Sequence, residues 1–177
     1  MIEVAGAVQR SFIFPASRPA AFAFYGDFSR VIGHLSLISL TRTYEEGQFR
    51  VLYDSSELGL YHIRIYCDAQ VEPDQKKWVL RVKPLDGKPP IKPQAGLNSS
   101  KAQGLYSSES VFHDEGGHTR IDYKLKLSAQ LPPPLALKLV PGKILDEIAW
   151  NITHWRIHQI ADSFIEKSIT AFNHHRR

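Results

Sequence analysis
The chain has 177 residues, 43% hydrophobic and 23% charged, which suits one globular domain (1–177) whose core needs neither metals nor disulfides. Its net charge of +4 is spread along the sequence, too weak and too dispersed for a nucleic-acid interface, so no nucleic-acid partner is expected. A lone cysteine, Cys67, excludes an internal disulfide and fits a reducing, cytoplasmic setting.

Val8 to Phe14 reads as a first strand, with Val8, Phe12 and Phe14 alternating with Gln9 and Ser11 before Pro15 ends it. Ser17 is placed to cap a helix from about Arg18 to Tyr25, with Pro19 in its first turn. Gly26-Asp27 breaks that helix, and a second short one follows from about Phe28 to Leu35. Leu37–Tyr44 and Gln48–Asp54 flank a turn at Glu45-Glu46-Gly47 and read as a hairpin. Tyr61 to Val71 alternates most clearly. Tyr61, Ile63, Ile65, Cys67, Ala69 and Val71 share one face, and His62, Arg64, Tyr66, Asp68 and Gln70 the other. After Pro73-Asp74, Trp78, Leu80 and Val82 open a further strand. Pro84 to Ser100 is rich in Pro, Gly, Ser and Lys without periodicity, and is expected to be a mobile loop or a lid. Strands resume at Gly104–Phe112 and Thr119–Leu127, joined by the turn Asp114-Glu115-Gly116-Gly117.

Leu131-Pro132-Pro133-Pro134 stops the pairing, and Leu135–Val140 leads into a long helical pattern from Pro141 to Asn173, followed by His174-His175-Arg176-Arg177. The opening residues, Met1 to Gly6, lack the basic start and apolar block of a secretory signal. No run approaches the roughly 18 apolar residues of a membrane span, so no integral membrane segment is expected. Strands joined by tight turns make an antiparallel sheet, and its apolar face needs a cover that only the last helix is long enough to supply. The expected fold is α+β: a curved antiparallel sheet of six to seven strands gripping a long C-terminal helix, with two short helices after the first strand.

The stretch Phe12-Ile13-Phe14-Pro15-Ala16-Ser17 leading into a helix, and Leu131-Pro132-Pro133-Pro134-Leu135-Ala136-Leu137-Lys138-Leu139-Val140-Pro141 leading into the last one, carry a resemblance. They resemble the START-like superfamily, also called SRPBCC or the birch-pollen-allergen-like helix-grip fold, and within it a family of uncharacterised members common in oxygenic phototrophs. The resemblance implies an interior cavity between sheet and helix for lipids, isoprenoids, steroids, tetrapyrroles or polyketides. Some members of the superfamily are cyclases or hydrolases, and many only bind; fold alone does not choose between them.

On a helical wheel of about 100° per residue, Glu147, Asn151, His154, His158 and Asp162 form one polar stripe. Ile144, Leu145, Ile148, Ala149, Ile152, Trp155 and Ile160 lie on another side, together with Arg156, Gln159 and Ser163. An arginine on the sheet side must pair with a carboxylate, reach out to solvent, or hold a polar ligand head. Its first candidate partner is Glu109, which is inward if Leu105, Ser107 and Val111 are; if Tyr106, Ser108, Ser110 and Phe112 face inward instead, Glu109 is a surface charge. Glu109 could equally serve proton transfer. Tyr61 and Tyr123 could offer hydroxyls to a ligand, with Ile63 and Ile65 as apolar wall, though buried tyrosines more often serve the core.

His154 and His158 have a spacing that could serve a metal, but they lie on the polar stripe and lack the intervening glutamate of a zinc-protease helix, so no metal is expected there. The pairs His113/His118 and His174/His175 flank a turn and the chain end. Cys67 has no basic neighbour in sequence and reads as a packed thiol. No phosphate loop, dinucleotide fingerprint or nucleophile elbow occurs, so neither cofactor nor catalysis is expected. The expected function is binding of a hydrophobic small molecule of the lipid, isoprenoid or tetrapyrrole class through Arg156, Gln159, Ser163, Ile152, Trp155, Tyr61, Ile63, Ile65, Glu109 and Tyr123. The alternatives are a cyclase or hydrolase of a polyketide- or lipid-like substrate, and an assembly module whose protein partner uses the 84–100 loop or the basic tail.

Overall fold
The first strand, β1, runs over Ile2–Phe14, six residues longer at its start than the alternation from Val8 suggests. Gly6 in its early part is small because β1 passes under the last helix there. A Cβ on Gly6 would stand 3.1 Å from Thr153 Cγ2 and 3.2 Å from Ile157 Cγ2. The computed structural model describes residues 1–176; the last residue of the basic tail, Arg177, lies outside the described residues.

After β1 come α1 (Arg18–Gly26), α2 (Phe28–Val31) and a 3-10 turn (Ile32–His34). Pro19 falls in the first turn of α1 as expected, but Ser17, at the N-cap, makes no side-chain capping bond. The strands that follow are β2 (Ile38–Thr43), β3 (Gln48–Glu57), β4 (Tyr61–Asp74), β5 (Val79–Pro84), the two-residue β6 (Gln94–Ala95), β7 (Ser99–Asp114) and β8 (Thr119–Leu131). A 3-10 turn (Leu135–Leu137) leads to α3 (Gly142–His175). The fold is thus α+β, with an eight-stranded sheet in the order β1-β8-β7-β5-β4-β3-β2, β6 adding to β7.

Neighbouring strands pair antiparallel save at one place. Strand β5 is short and wedges between β4 and β7 only along part of their length; beyond its end, His62–Tyr66 of β4 pair directly and in parallel with Ser99–Gln103 of β7. Gly104 closes this seam. A Cβ there would meet Ile65 Cγ2 and the Ser128 carbonyl oxygen, each at 2.6 Å.

The segment between β5 and β7 is not a free loop. Arg50 and Asp68, opposite each other on the outer faces of β3 and β4, form a buried ion pair at 2.7 Å. Arg50 Nη2 also donates to the Pro89 carbonyl at 2.6 Å, and the Leu85 amide donates to the Asp68 carbonyl. Farther along, Gly96 and Leu97 accept hydrogen bonds from the amides of Leu135 and Ala136, and Asn98 accepts one from His62. A desolvated carboxylate and guanidinium need such a lid of partners, and the proline-rich run supplies it.

Sheet and helix meet differently at the two ends of α3. From Ile157 onward the helix delivers Ile157, Ile160, Ala161 and Phe164 into a core of aromatic rings, where Phe14, Tyr25 and Phe172 pack with centroids about 5 Å apart. Between Gly142 and Arg156 only Leu145 is buried. That end of the helix stands over a space.

Candidate ligand-binding site
The space is a cavity of about 120 Å³ between the sheet and the first half of α3. On the same measure one water needs roughly 10–15 Å³, so it holds several. Its walls are Ile63, Ile65 and Cys67 of β4, Leu127 and Leu131 of β8, and Ile2 and Val4 of β1. Leu145, Ile148, Ala149, Ile152 and Ile157 of α3 form the roof. The odd-numbered residues of β4 reach it for the reason the alternation implies, since successive side chains point to opposite faces. Exposed Leu58 and Ile148 stand at its edge. Leu58, in the turn between β3 and β4, has a φ of 54°, left-handed geometry that costs a residue with a side chain about 1–2 kcal/mol. The turn thus holds its leucine over the cavity at a conformational cost.

One end of the cavity is polar. Glu57, the last residue of β3, is 6% exposed and accepts from Arg156 Nε at 2.9 Å and Nη2 at 3.1 Å. Arg156 Nη1 donates to Gln159 Oε1 at 2.9 Å, and the guanidinium lies 4.5 Å from the centroid of the Trp155 ring. The Tyr53 hydroxyl donates to Glu57 Oε1 over a long 3.4 Å. Burial pushes the Tyr53 phenol up to about 12, with nearby Ser55 pulling the other way and the Glu57 charge adding to the rise. The Ser55 hydroxyl, 3% exposed, makes no hydrogen bond of ordinary geometry. Burial likewise raises the Cys67 thiol to about 12, so it is no nucleophile near neutral pH.

Arg156 therefore does need an acid, but the acid is Glu57 and not Glu109. Strand β7 pairs with β8 so that Tyr106, Ser108, Ser110 and Phe112 lie opposite Leu127, Leu125, Tyr123 and Ile121, which face the core. This settles the register that the sequence leaves open. Glu109 is turned outward, opposite Lys124, and binds Arg81 at 2.9 Å. Glu57 lies beyond the sequence-read end of its strand at Asp54. Carried two steps further, the inward series Phe49, Val51, Tyr53, Ser55 ends on Glu57 and would have indicated it.

Of the other expected ligand contacts, Ile152, Tyr61, Ile63 and Ile65 line the cavity beside Arg156. Gln159 is exposed and braces Arg156 from outside. Ser163 bonds the Ser36 hydroxyl ahead of β2, and so packs the helix. Trp155 is 58% exposed because it sits one residue, about 100°, round from the seam that Arg156 occupies. Tyr123 is buried deeper, against Phe164, beside a second, smaller cavity of about 30 Å³. Burial, with Tyr106 adding to it, raises its phenol well above the ordinary value.

The helix histidines lie away from the cavity. His158 Nδ1 contacts Arg10 Nη2 at 2.8 Å, and since arginine only donates, that nitrogen accepts; His154 stacks on Trp150. Among the described residues no group of three or more His, Cys, Asp or Glu could hold a metal, and no helix is long and apolar enough to cross a membrane.

This architecture is a helix-grip fold, an antiparallel sheet closed by a long C-terminal helix. The chain is similar in structure to the Zhui aromatase/cyclase of Streptomyces sp. R1128, with a TM-score of 0.57 and 11% identity over 98% of this chain and 96% of that one. It is similar also to a protein of Thermus thermophilus, with a TM-score of 0.54 and 17% identity over 93% of this chain and 98% of the other. A conserved Geobacillus kaustophilus protein matches with a TM-score of 0.52 and 10% identity over 96% and 94% of the two chains. At such identities the likeness is one of fold, and chemistry has to be argued from the site. No family model and no curated protein matches the chain.

Proposed function
We propose that the chain binds a hydrophobic small molecule, of the lipid, isoprenoid or tetrapyrrole class, in the cavity under the first half of α3, without transforming it. The observation that carries this reading is an apolar cavity in which the thiol, the Tyr53 phenol and the Glu57 carboxylate are each held back. The thiol and the Tyr53 phenol stay protonated near neutral pH, and both oxygens of Glu57 accept from Arg156. Taking up a substrate proton would cost Glu57 its ion pair and leave the Arg156 charge without a partner, and a nucleophile needs its deprotonated form. An apolar pocket with a few convergent polar groups has the make-up of a ligand site.

Organic extraction of the protein from its native source, followed by mass spectrometry, tests the reading. One apolar compound in near-stoichiometric amount is the expected result. A protein that yields none and takes up no apolar dye saturably would contradict it.

A second reading is favoured by the convergence of Tyr53, Ser55 and Glu57 at one end of the cavity, together with a structural neighbour described as an aromatase/cyclase. On that reading the chain cyclises or hydrolyses a polyketide- or lipid-like substrate with Glu57 as its base. Release of the extracted compound in altered form, abolished by Glu57→Gln, would replace the binding reading with this one.

A further inference from the structure
Ser100 and Thr153 also line the cavity, but their hydroxyls donate to the backbone carbonyls of Pro132 and Ala149. Ser55 is different. Among the described residues it is the cavity-lining residue with a buried side-chain oxygen that has no partner. A buried hydroxyl without a hydrogen bond is costly, and protein interiors rarely keep one without a use for it. Beside it, the Tyr53 hydroxyl makes a long bond to Glu57 and feels Ser55 as a polar neighbour. A polar ligand atom at that end of the cavity would give the Ser55 hydroxyl a full hydrogen bond and the Tyr53 hydroxyl a better one than it has.

The charge at that end limits what the atom can be. Glu57 and Arg156 neutralise each other, and both carboxylate oxygens are taken by the guanidinium. Arg156 is further engaged by Gln159 and, at 3.4 Å, by the Ser56 carbonyl. A ligand carboxylate would have to displace Glu57 or be buried next to it; a ligand ammonium would meet the positive end of the same closed pair. Either leaves a charge desolvated without a partner. An uncharged oxygen carries no such penalty, and a serine hydroxyl, donor and acceptor at once, serves an alcohol or a carbonyl equally.

We infer that the cavity is selective for an uncharged amphiphile, an apolar body ending in one hydroxyl or carbonyl oxygen that hydrogen-bonds Ser55, with Tyr53 as second partner. Fatty acids and alkyl amines of the same length are discriminated against. The inference rests on the proposal that the cavity binds apolar molecules, and it adds the chemistry of the head.

The test is displacement of the neutral dye N-phenyl-1-naphthylamine from the full chain at pH 7. The competitors are 1-decanol, 2-decanone, decane, decanoate and decylamine, each below its aggregation limit. Decanol and decanone are expected to compete at concentrations at least tenfold lower than decanoate and decylamine. Ser55→Ala should shrink the advantage of decanol over decane at least threefold while the protein stays folded by circular dichroism. Decanoate or decylamine competing as well as decanol, or an undiminished decanol advantage in Ser55→Ala, would overturn the inference while leaving the binding proposal standing. No saturable dye uptake and no competition by any probe would overturn both.

Discussion

Arg156→Leu removes the guanidinium that satisfies Glu57 and leaves its carboxylate at the inner wall of an apolar cavity. The side chains of Glu57 and Arg156 are 8% and 16% exposed, so the pair is largely out of water. Breaking one partner of a buried pair costs about 3–5 kcal/mol, most of it the desolvated charge left behind. Both oxygens of Glu57 lose their Arg156 donors at once and only the long Tyr53 bond remains, so a loss of about 3 kcal/mol is expected. For a chain of this size that lowers Tm by roughly 6–12 °C, and the urea midpoint by about 1.5 M for a slope near 2 kcal/mol/M. The double variant Glu57→Met/Arg156→Leu removes both charges and should return to within about 1 kcal/mol of the native chain, because apolar replacement of a buried pair is often neutral. Urea unfolding followed by circular dichroism measures all three proteins. If Arg156→Leu unfolds at the native midpoint, or the double variant is no more stable than the single, then the pair is not the desolvated one described here.

Three further expectations follow from other parts of the fold. Arg50→Met should destabilise by about 3–5 kcal/mol through the stranded Asp68, and should speed endoproteinase Asp-N cleavage between Leu85 and Asp86; an unchanged digestion rate at that bond would show that the Pro89 contact does not hold the segment. Gly104→Ala should cost about 1–3 kcal/mol in urea unfolding, since its Cβ meets a backbone oxygen that no rotamer change can move aside, and native stability there would refute the close approach. Burial raises the phenols of Tyr53 and Tyr106 to about 12 and those of Tyr25 and Tyr123 higher still, against an ordinary value of 10.0. In the unfolded chain these groups ionise near 10, so the stability they contribute is full below pH 10 and is lost as pH rises through 12 and beyond. Absorbance titration should show them ionising only with unfolding at high pH; reversible ionisation near 10 in the folded chain would contradict their burial.

Much of the fold was legible because its signals are periodic. The alternation from Tyr61 to Val71 placed Ile63, Ile65 and Cys67 on the inner face, and the prolines after Leu131 marked where the sheet ends and the closing helix begins. The start of β1 is hidden because Gly6, which must lack a Cβ to pass under α3, and its exposed neighbours Ala5 and Ala7 carry little strand signal. The 84–98 segment reads as unstructured because what ties it down is the buried pair Arg50–Asp68 and scattered backbone bonds, none of which leaves a pattern in its own sequence. At the site, the wheel identified Arg156 as a charge needing an acid, yet one wheel for the whole helix could not show that the seam excludes Trp155, one residue away. Glu57 is hidden in the sequence because its strand reads as ending at Asp54, and Glu109 stands out in its place because the register of β7 is fixed only by its pairing with β8.

The claim that the first half of α3 roofs a ligand cavity is most directly tested by titrating N-phenyl-1-naphthylamine into the native chain and into Ile152→Trp, whose indole would fill the space from the helix side. Saturable uptake near one dye per chain is predicted for the native protein, with affinity reduced at least tenfold in a folded Ile152→Trp. No saturable uptake by the native chain, or equal uptake by the filled variant, would contradict it.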